Sequence, residues 1–279
     1  MRIKYLLFAF LFVLSCSEKK KGVITEEAKG SNQIQSKEFL SLLEYADLKG
    51  AILIYDLQKD IYYSNDFEWS STGKLPASTY KIPNSIIALE TGVVENDSTL
   101  FNWDGQPRAL SVWEQDLIFR QAFHFSCVPC YQDIARRIGS ERMNDYLAKL
   151  AYGDMKVDAN NIDVFWLEGD SKISQFQQID FLKRFYEKKL PISRRTDSIM
   201  RRMMVIEQNE EYTLSGKTGW SIRNGHNNGW FVGFVETENG NYLFTSNVEP
   251  VGEFNRDLFV KSRKEVVYKA LEQLEIIER

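Results

Sequence analysis

The chain has 279 residues, 43% of them hydrophobic and 13% aromatic, with a formal net charge of −4. That supplies the core of one large domain, or of at most two closely packed ones. The mild charge, without any basic tract, excludes a nucleic-acid partner, and two histidines leave little for a metal cage.

The first sixteen residues stand apart from that globule. Arg2 and Lys4 precede an apolar run over residues 5–14 that ends at Ser15-Cys16, the layout of an export signal. A membrane span takes about 20 apolar residues, so this run is short for one. The segment Val13-Leu14-Ser15-Cys16 resembles a bacterial lipobox, in which Cys16 would become the lipidated N-terminus. Residues 17–35 are polar and are expected to form a flexible tether. The folded domain is placed at 36–279.

Phe39, Leu42, Leu43 and Tyr45 have helical spacing, residues 50–56 read as a buried strand, and residues 61–65 as its hairpin partner. A long stretch from Ser78 to Ile206 follows with helical periodicity, for example over residues 86–91, 131–138, 143–150 and 179–187. Three short strands are expected at 212–217, 229–236 and 241–247, separated by Gly/Asn turns, and a closing helix at 258–277. The order predicts an α+β fold: an antiparallel sheet flanked by helices, with a large helical insertion. Chemistry is expected in the cleft between the sheet edge and the helical block.

The pattern Ser-x-x-Lys occurs at Ser17/Lys20, Ser71/Lys74 and Ser78/Lys81. The third copy differs by leading into the apolar run Ile86-Ile87-Ala88-Leu89. Residues three apart on a helix share a face, so Lys81 can reach the Ser78 hydroxyl, which is a poor nucleophile until a base takes its proton. A partner motif, Ser215-Gly216-Lys217-Thr218-Gly219, sits on a late strand. Its glycines allow a ligand close to the backbone, and Lys217 with Thr218 would hold an anionic carboxylate. Ser-x-x-Lys followed by Lys-Thr-Gly is the pairing of penicillin-binding proteins and class A β-lactamases.

Pro76-Ala77-Ser78-Thr79-Tyr80-Lys81-Ile82-Pro83-Asn84 and its continuation to Gly92 closely resemble the nucleophile helix of class D, oxacillinase-type, β-lactamases. Ser126-Cys127-Val128, Tyr152-Gly153-Asp154, Phe165-Trp166-Leu167-Glu168-Gly169 and Asn228-Gly229-Trp230-Phe231-Val232-Gly233 extend the resemblance over roughly residues 36–275. It implies the β-lactamase and penicillin-binding transpeptidase fold, and hydrolysis of the β-lactam ring through an acyl-serine. Ser78 is then the nucleophile and Lys81 the general base, carboxylated by carbon dioxide or bicarbonate, with no other cofactor and no metal. The neutral amine that this requires implies a buried lysine. Trp166 would hold the carbamate through its indole N–H, and Val128 would keep the pocket dry. Ser126 would relay a proton to the departing ring nitrogen. The backbone N–H groups of Ser78 and Trp220 would form the oxyanion hole, and Lys217, Thr218, Gly219 and Arg263 would bind substrate, Arg256 being a nearby second arginine.

Two departures stand out. Asp154 replaces the family's usual Asn, which puts the local hydrogen bonding in question. The Ser-x-Val motif carries Cys127, with Cys130 just after it; zinc would need two further ligands, and a helical i, i+3 spacing suits a disulfide poorly, so two buried thiols are expected. A β-lactam sensor of the same fold would need a transmembrane signalling portion, and no His-Glu-x-x-His occurs. A penicillin-binding peptidase fits the class D motifs less well. A histidine-dependent hydrolase would rely on His124, in an aromatic stretch, or His226, in an Asn/Gly-rich turn. The expected setting is the bacterial periplasm, with membrane attachment only through the lipid, as a monomer or homodimer.

Overall fold

A computed structural model describes residues 32–279. The export signal, Cys16 and most of the expected tether lie outside the described residues. The chain opens with strand β1 (Gln33–Gln35) and helix α1 (Lys37–Tyr45). Ser36 caps α1: its Oγ accepts the Phe39 N–H at 3.2 Å, and Glu38 follows in the first turn, where the helix dipole favours negative charge. β2 (Leu48–Asp56), β3 (Ile61–Ser64) and α2 (Phe67–Ser71) follow, then a 3₁₀ turn (Ala77–Tyr80) that runs into α3 (Lys81–Glu90).

The helical insertion carries a two-stranded pair, β4 (Leu100–Phe101) and β5 (Leu117–Ile118), then α4 (Phe119–His124), α5 (Val128–Ile138), α6 (Ser140–Leu150), α7 (Gln175–Tyr186) and α8 (Arg194–Met204). The chain then returns to the sheet with β6 (Val205–Gln208), β7 (Tyr212–Arg223), β8 (His226–Thr237) and β9 (Gly240–Pro250), and closes with α9 (Arg256–Gln273). Among the described residues no helix is long and apolar enough to cross a membrane.

The main sheet has the order β1-β3-β2-β9-β8-β7-β6 and is antiparallel except where β1 lies parallel to β3. Side chains alternate between its faces. Ile52, Ile54, Phe231 and Phe244 pack beneath α1 and α9, whereas Leu53, Tyr55, Trp230 and Val232 join the core of the helical insertion. This is the expected α+β arrangement, with the insertion on one face and the first and last helices on the other.

Several bounds differ from the sequence expectation, for local reasons. α7 begins at Gln175 because Ser174 and Gln177 form a reciprocal capping box, a polar start that apolar periodicity does not register. β7 and β8 run to Arg223 and His226 because Asn224 and Gly225 both take positive φ (50° and 77°), the two-residue hairpin turn that lets the ladder continue to its end. Residues 33–35, expected within the tether, form β1. Their side chains are exposed, so the strand is recruited by backbone hydrogen bonding to β3 rather than by apolar pattern.

The expected pair of free thiols is corrected: Cys127 and Cys130 form a disulfide, with Cα atoms 5.4 Å apart. Cys127 is not inside the helix. It is the N-cap of α5, with φ −54° and ψ 99°, so the spacing is that of a turn entering a helix and falls within disulfide range.

Candidate active site

The nucleophile turn is held from three sides. Ala77, in a left-handed conformation (φ 52°), donates its N–H to the Trp166 carbonyl at 2.9 Å. The Trp230 indole donates to the Leu75 carbonyl at 2.9 Å, across from β8. Thr79 Oγ1 donates to the Pro76 carbonyl at 2.7 Å and accepts Gln178 Nε2 at 3.0 Å, and Tyr152 OH lies 3.3 Å from Gln178 Oε1. Ser78 therefore sits on a turn fixed by sheet, insertion and loop together, with a small solvent-facing opening (8% exposed).

Lys81 lies one turn further on, fully buried, and its Nζ donates to Ser78 Oγ at 3.0 Å. Burial brings the Lys81 amine down to about 7, because removing a charged ammonium from water is costly and no carboxylate is paired with it. The same Nζ rests 4.9 Å from the centre of the Tyr131 ring. Trp166 is also fully buried, stacks on Tyr80 at 5.5 Å, and has an indole N–H without a hydrogen-bond partner. A buried orphan donor is costly unless a ligand or a modified side chain satisfies it. The Lys81 amine, its charge disfavoured, and the unpaired Trp166 indole, stacked on the adjacent Tyr80, lie in one buried region.

A second serine–lysine pair faces the first. Lys217 Nζ donates to Ser126 Oγ in a short hydrogen bond and to the Thr218 carbonyl at 3.2 Å. Burial, then repulsion from Lys81, Arg263 and Lys264, holds the Lys217 amine well below its usual range. Ser126 occupies a left-handed position (φ 53°) ahead of the disulfide, and the Trp113 indole donates to the neighbouring Phe125 carbonyl at 2.9 Å.

The sheet edge supplies the third wall. β6 pairs with β7 only as far as Ser215, so Gly216–Trp220 of β7 present an edge free of β6 to the nucleophile turn. A Cβ at Gly219 would meet the Pro76 oxygen, Thr79 Cγ2 and the Thr79 nitrogen at 3.1–3.2 Å. A side chain there would force the turn or the strand to give by a few tenths of an ångström. Gly219→Val is expected to lower kcat/KM for a β-lactam by about five- to 150-fold with an unchanged far-UV spectrum, since overpacking costs about 1–3 kcal/mol and would be absorbed by the turn. Wild-type kinetics in that variant would refute the contact.

Arg263, on α9, donates from Nη1 to the Gly219 carbonyl at 2.6 Å, while its Nε is buried without a partner. Burial lowers its guanidinium to about 10, still charged at neutral pH. A Cβ at Gly229 would come within 2.7 Å of the Phe259 ring, so the glycine of β8 is what lets α9 bring Arg263 to the strand. Trp220 lies beyond, packed against Phe254 and Phe259 at 5.9 and 6.0 Å, with Arg256 over its ring at 5.7 Å.

A cavity of about 380 Å³ joins these parts; Ser78, Ser126, Val128, Thr218, Gly219, Trp220 and Arg263 all line it. Lys81, Trp166 and Lys217 sit buried behind its wall. Every site residue expected in the folded domain is thus brought to one place. His124 also lines the cavity, its imidazole held below its usual value by partial burial and by Lys217 and Arg120, while His226 is at the distant end of the β7–β8 hairpin. Both serine hydroxyls are paired with lysines rather than histidines. Asp154 turns its carboxylate outward to Lys156 at 2.6 Å, while its backbone bridges Lys172, so the added charge stays out of the cavity.

Sequence reasoning passed over Leu110, Trp113 and Phe125, which also line the cavity, and Gln178, which anchors Thr79. None of them belongs to a motif, and only the fold brings them in. Among the described residues no group of three or more His, Cys, Asp or Glu is placed to hold a metal ion.

The comparisons with known proteins agree with this geometry. The family model Transpeptidase, penicillin binding protein transpeptidase domain, matches residues 49–272. The chain is 38% identical over 275 residues to Beta-lactamase OXA-10 of Pseudomonas aeruginosa, covering 97% of this chain and 98% of that protein. It is 38% identical over 201 residues to Beta-lactamase OXA-48 of Klebsiella pneumoniae, covering 72% and 76%. Among solved structures, the class D β-lactamase YbXI from Nostoc superposes with a TM-score of 0.81 at 40% identity, over 86% of this chain and 99% of that one. A class D β-lactamase from Sebaldella termitidis gives 0.84 at 33% identity, over 89% and 100%. The two serine–lysine pairs, the glycine edge of β7 and these relatives together lead to one assignment: the chain belongs to the class D β-lactamases, serine hydrolases on the penicillin-binding transpeptidase fold.

Proposed function

We propose that the protein hydrolyses penicillins and related β-lactams through an ester on Ser78. The observation that carries this is the buried Lys81 amine at 3.0 Å from Ser78 Oγ, its charged form disfavoured by burial. Lys81 accepts the hydroxyl proton as Ser78 Oγ bonds to the lactam carbonyl carbon. The carbonyl oxygen, becoming negative, is met by the backbone N–H groups of Ser78 and Trp220, donors already oriented before the charge develops. The lactam C–N bond then breaks, and the ring nitrogen takes a proton from Ser126, which is reprotonated through Lys217 by the proton that Lys81 took from Ser78, leaving Lys81 free to act again. Water hydrolyses the ester and frees Ser78.

The Arg263 guanidinium, with its unpartnered Nε, and Lys217 with Thr218 bind the substrate carboxylate. Carbon dioxide added to Lys81 would turn the amine into an anionic base serving both acylation and deacylation, held by the Trp166 indole. Val128 contributes an apolar wall that limits hydration. Residues 1–16 support export to the periplasm with lipidation of Cys16, and the enzyme works as a monomer or homodimer.

The test is turnover of a chromogenic cephalosporin with and without added bicarbonate. Turnover that rises with bicarbonate and disappears in Lys81→Ala supports the proposal. A single stoichiometric burst on Ser78, with no turnover even in bicarbonate, would instead identify a β-lactam sensor.

A further inference from the structure

Among the described residues, five buried side-chain polar atoms lack a hydrogen-bond partner, and three of them belong to Trp166 and Asn84. Trp166 is accounted for by the proposed carbamate. Asn84 is not: it is fully buried in α3, and neither its Nδ2 donor nor its Oδ1 acceptor is satisfied. A buried amide with both ends empty is costly, by about 1–3 kcal/mol for each unsatisfied group. An apolar residue would be the better choice unless a group arrives to use it.

The position of Asn84 shows where that group is. Successive residues of an α-helix turn by about 100°. Asn84 therefore projects between the directions of Tyr80 and Lys81, whereas Ser85 projects on the other side of Lys81. The Tyr80 ring stacks on Trp166, and the Ser85 hydroxyl bonds Tyr131 OH at 2.7 Å, over whose ring Lys81 lies. Asn84 is thus on the Trp166 side of Lys81, three residues along the helix, the spacing at which side chains meet.

We propose that Asn84 is a positioning residue for the carboxylation of Lys81, sharing with Trp166 the task of holding the new carboxylate. This rests on the proposed carboxylation. In that reaction the lysine nitrogen lone pair forms a bond to the carbon of carbon dioxide, one C=O electron pair moves onto oxygen, and one amine proton leaves to solvent. A neutral side chain thereby becomes an anion with two acceptor oxygens and one remaining N–H. Asn84 Nδ2 and Trp166 Nε1 supply two donors for the oxygens, and Asn84 Oδ1 is an acceptor for the N–H or for a bridging water. The amide is suited to this because it donates and accepts without adding charge beside an anion.

The test measures carboxylation itself. Wild type, Asn84→Leu, Asn84→Ser and Trp166→Phe are titrated with ¹³C-bicarbonate, and the lysine carbamate carbon is read by ¹³C NMR. Asn84→Leu is expected to need about ten- to a hundredfold more bicarbonate for half-occupancy, the scale of a hydrogen bond to a charged group. Asn84→Ser retains a smaller donor and is expected to lie between Asn84→Leu and wild type, and it serves alone should the leucine variant fail to fold. A packing role would move the melting temperature but not the bicarbonate requirement. Wild-type half-occupancy in the Asn84 variants overturns the proposal while leaving carboxylation intact. Absence of any carbamate carbon in wild type, with Ser78 still acylated, overturns the carboxylation reading and this inference with it.

Discussion

Ser78→Ala is expected to reduce β-lactam turnover by about 10⁶-fold, the scale on which a serine hydrolase depends on its nucleophile. The cavity contains two serines, each bonded to a buried lysine, and local chemistry alone does not distinguish them. Two structural features do. Ser78 is on the turn against which Gly219 packs, next to the β7 edge that would supply the second N–H of the proposed oxyanion hole. It also lies two residues before Tyr80, whose ring stacks on Trp166, the residue with the orphan indole donor. Intact-mass analysis after exposure to a penicillin is expected to find one adduct in wild type and none in Ser78→Ala. An adduct that persists in the variant and maps to Ser126 would reverse the two roles.

Lys81→Met is expected to act on turnover and stability in opposite directions. Removing the proposed general base is expected to lower turnover by about 10² to 10⁴. The same substitution removes a buried amine whose charged form the interior disfavours, depressing it from 10.5 to about 7. Below pH about 7 the lysine is charged in both folded and unfolded chains, and the native state carries the full cost, about 5 kcal/mol as an upper figure. Between about 7 and 10.5 the unfolded chain binds more protons than the native one, so wild-type stability rises with pH. Above 10.5 the amine is neutral in both states and the cost is gone. The advantage of the methionine variant should therefore be largest near pH 6 and shrink as pH rises. Denaturant melts in buffer depleted of carbon dioxide measure this directly. A stability difference that does not change with pH would contradict a buried, depressed lysine.

The strand and helix order was readable because the buried faces impose periods of two and of about 3.6 on apolar residues. β2, β3 and β7 to β9 follow from such patterns, as do the cores of α3, α5, α6 and α7. What periodicity missed is held by the backbone or by short polar turns: β1 by its ladder to β3, the α7 start by Ser174 and Gln177, and the hairpin end by Asn224-Gly225. The cysteine pair was misread for the same reason. A pattern shows that a helix is near, but only the backbone angles of Cys127 show that it stands at the cap, where the disulfide closes.

The site divides along the same line. Ser78 and Lys81 share one short motif because they lie three residues apart, whereas Ser126, Lys217 and Trp166 each stand in a motif of their own and Lys217 meets Ser126 only across 91 residues. Gln178, Trp113 and Asn84 carry no such mark. Gln178 reaches Thr79 from a helix about a hundred residues away, and Trp113 braces the Ser126 turn through a carbonyl. Asn84 was visible in the motif as a letter, but its meaning depends on being buried with no partner. The order of most elements and the Ser78/Lys81 pairing could be read from local spacing and side-chain type, and the family from the resemblance of the motifs. The depressed lysines, the orphan donors and the closeness of β7 to the nucleophile turn were decided only by the tertiary structure, because burial and the pairing of polar atoms belong to the packed molecule and not to any one segment.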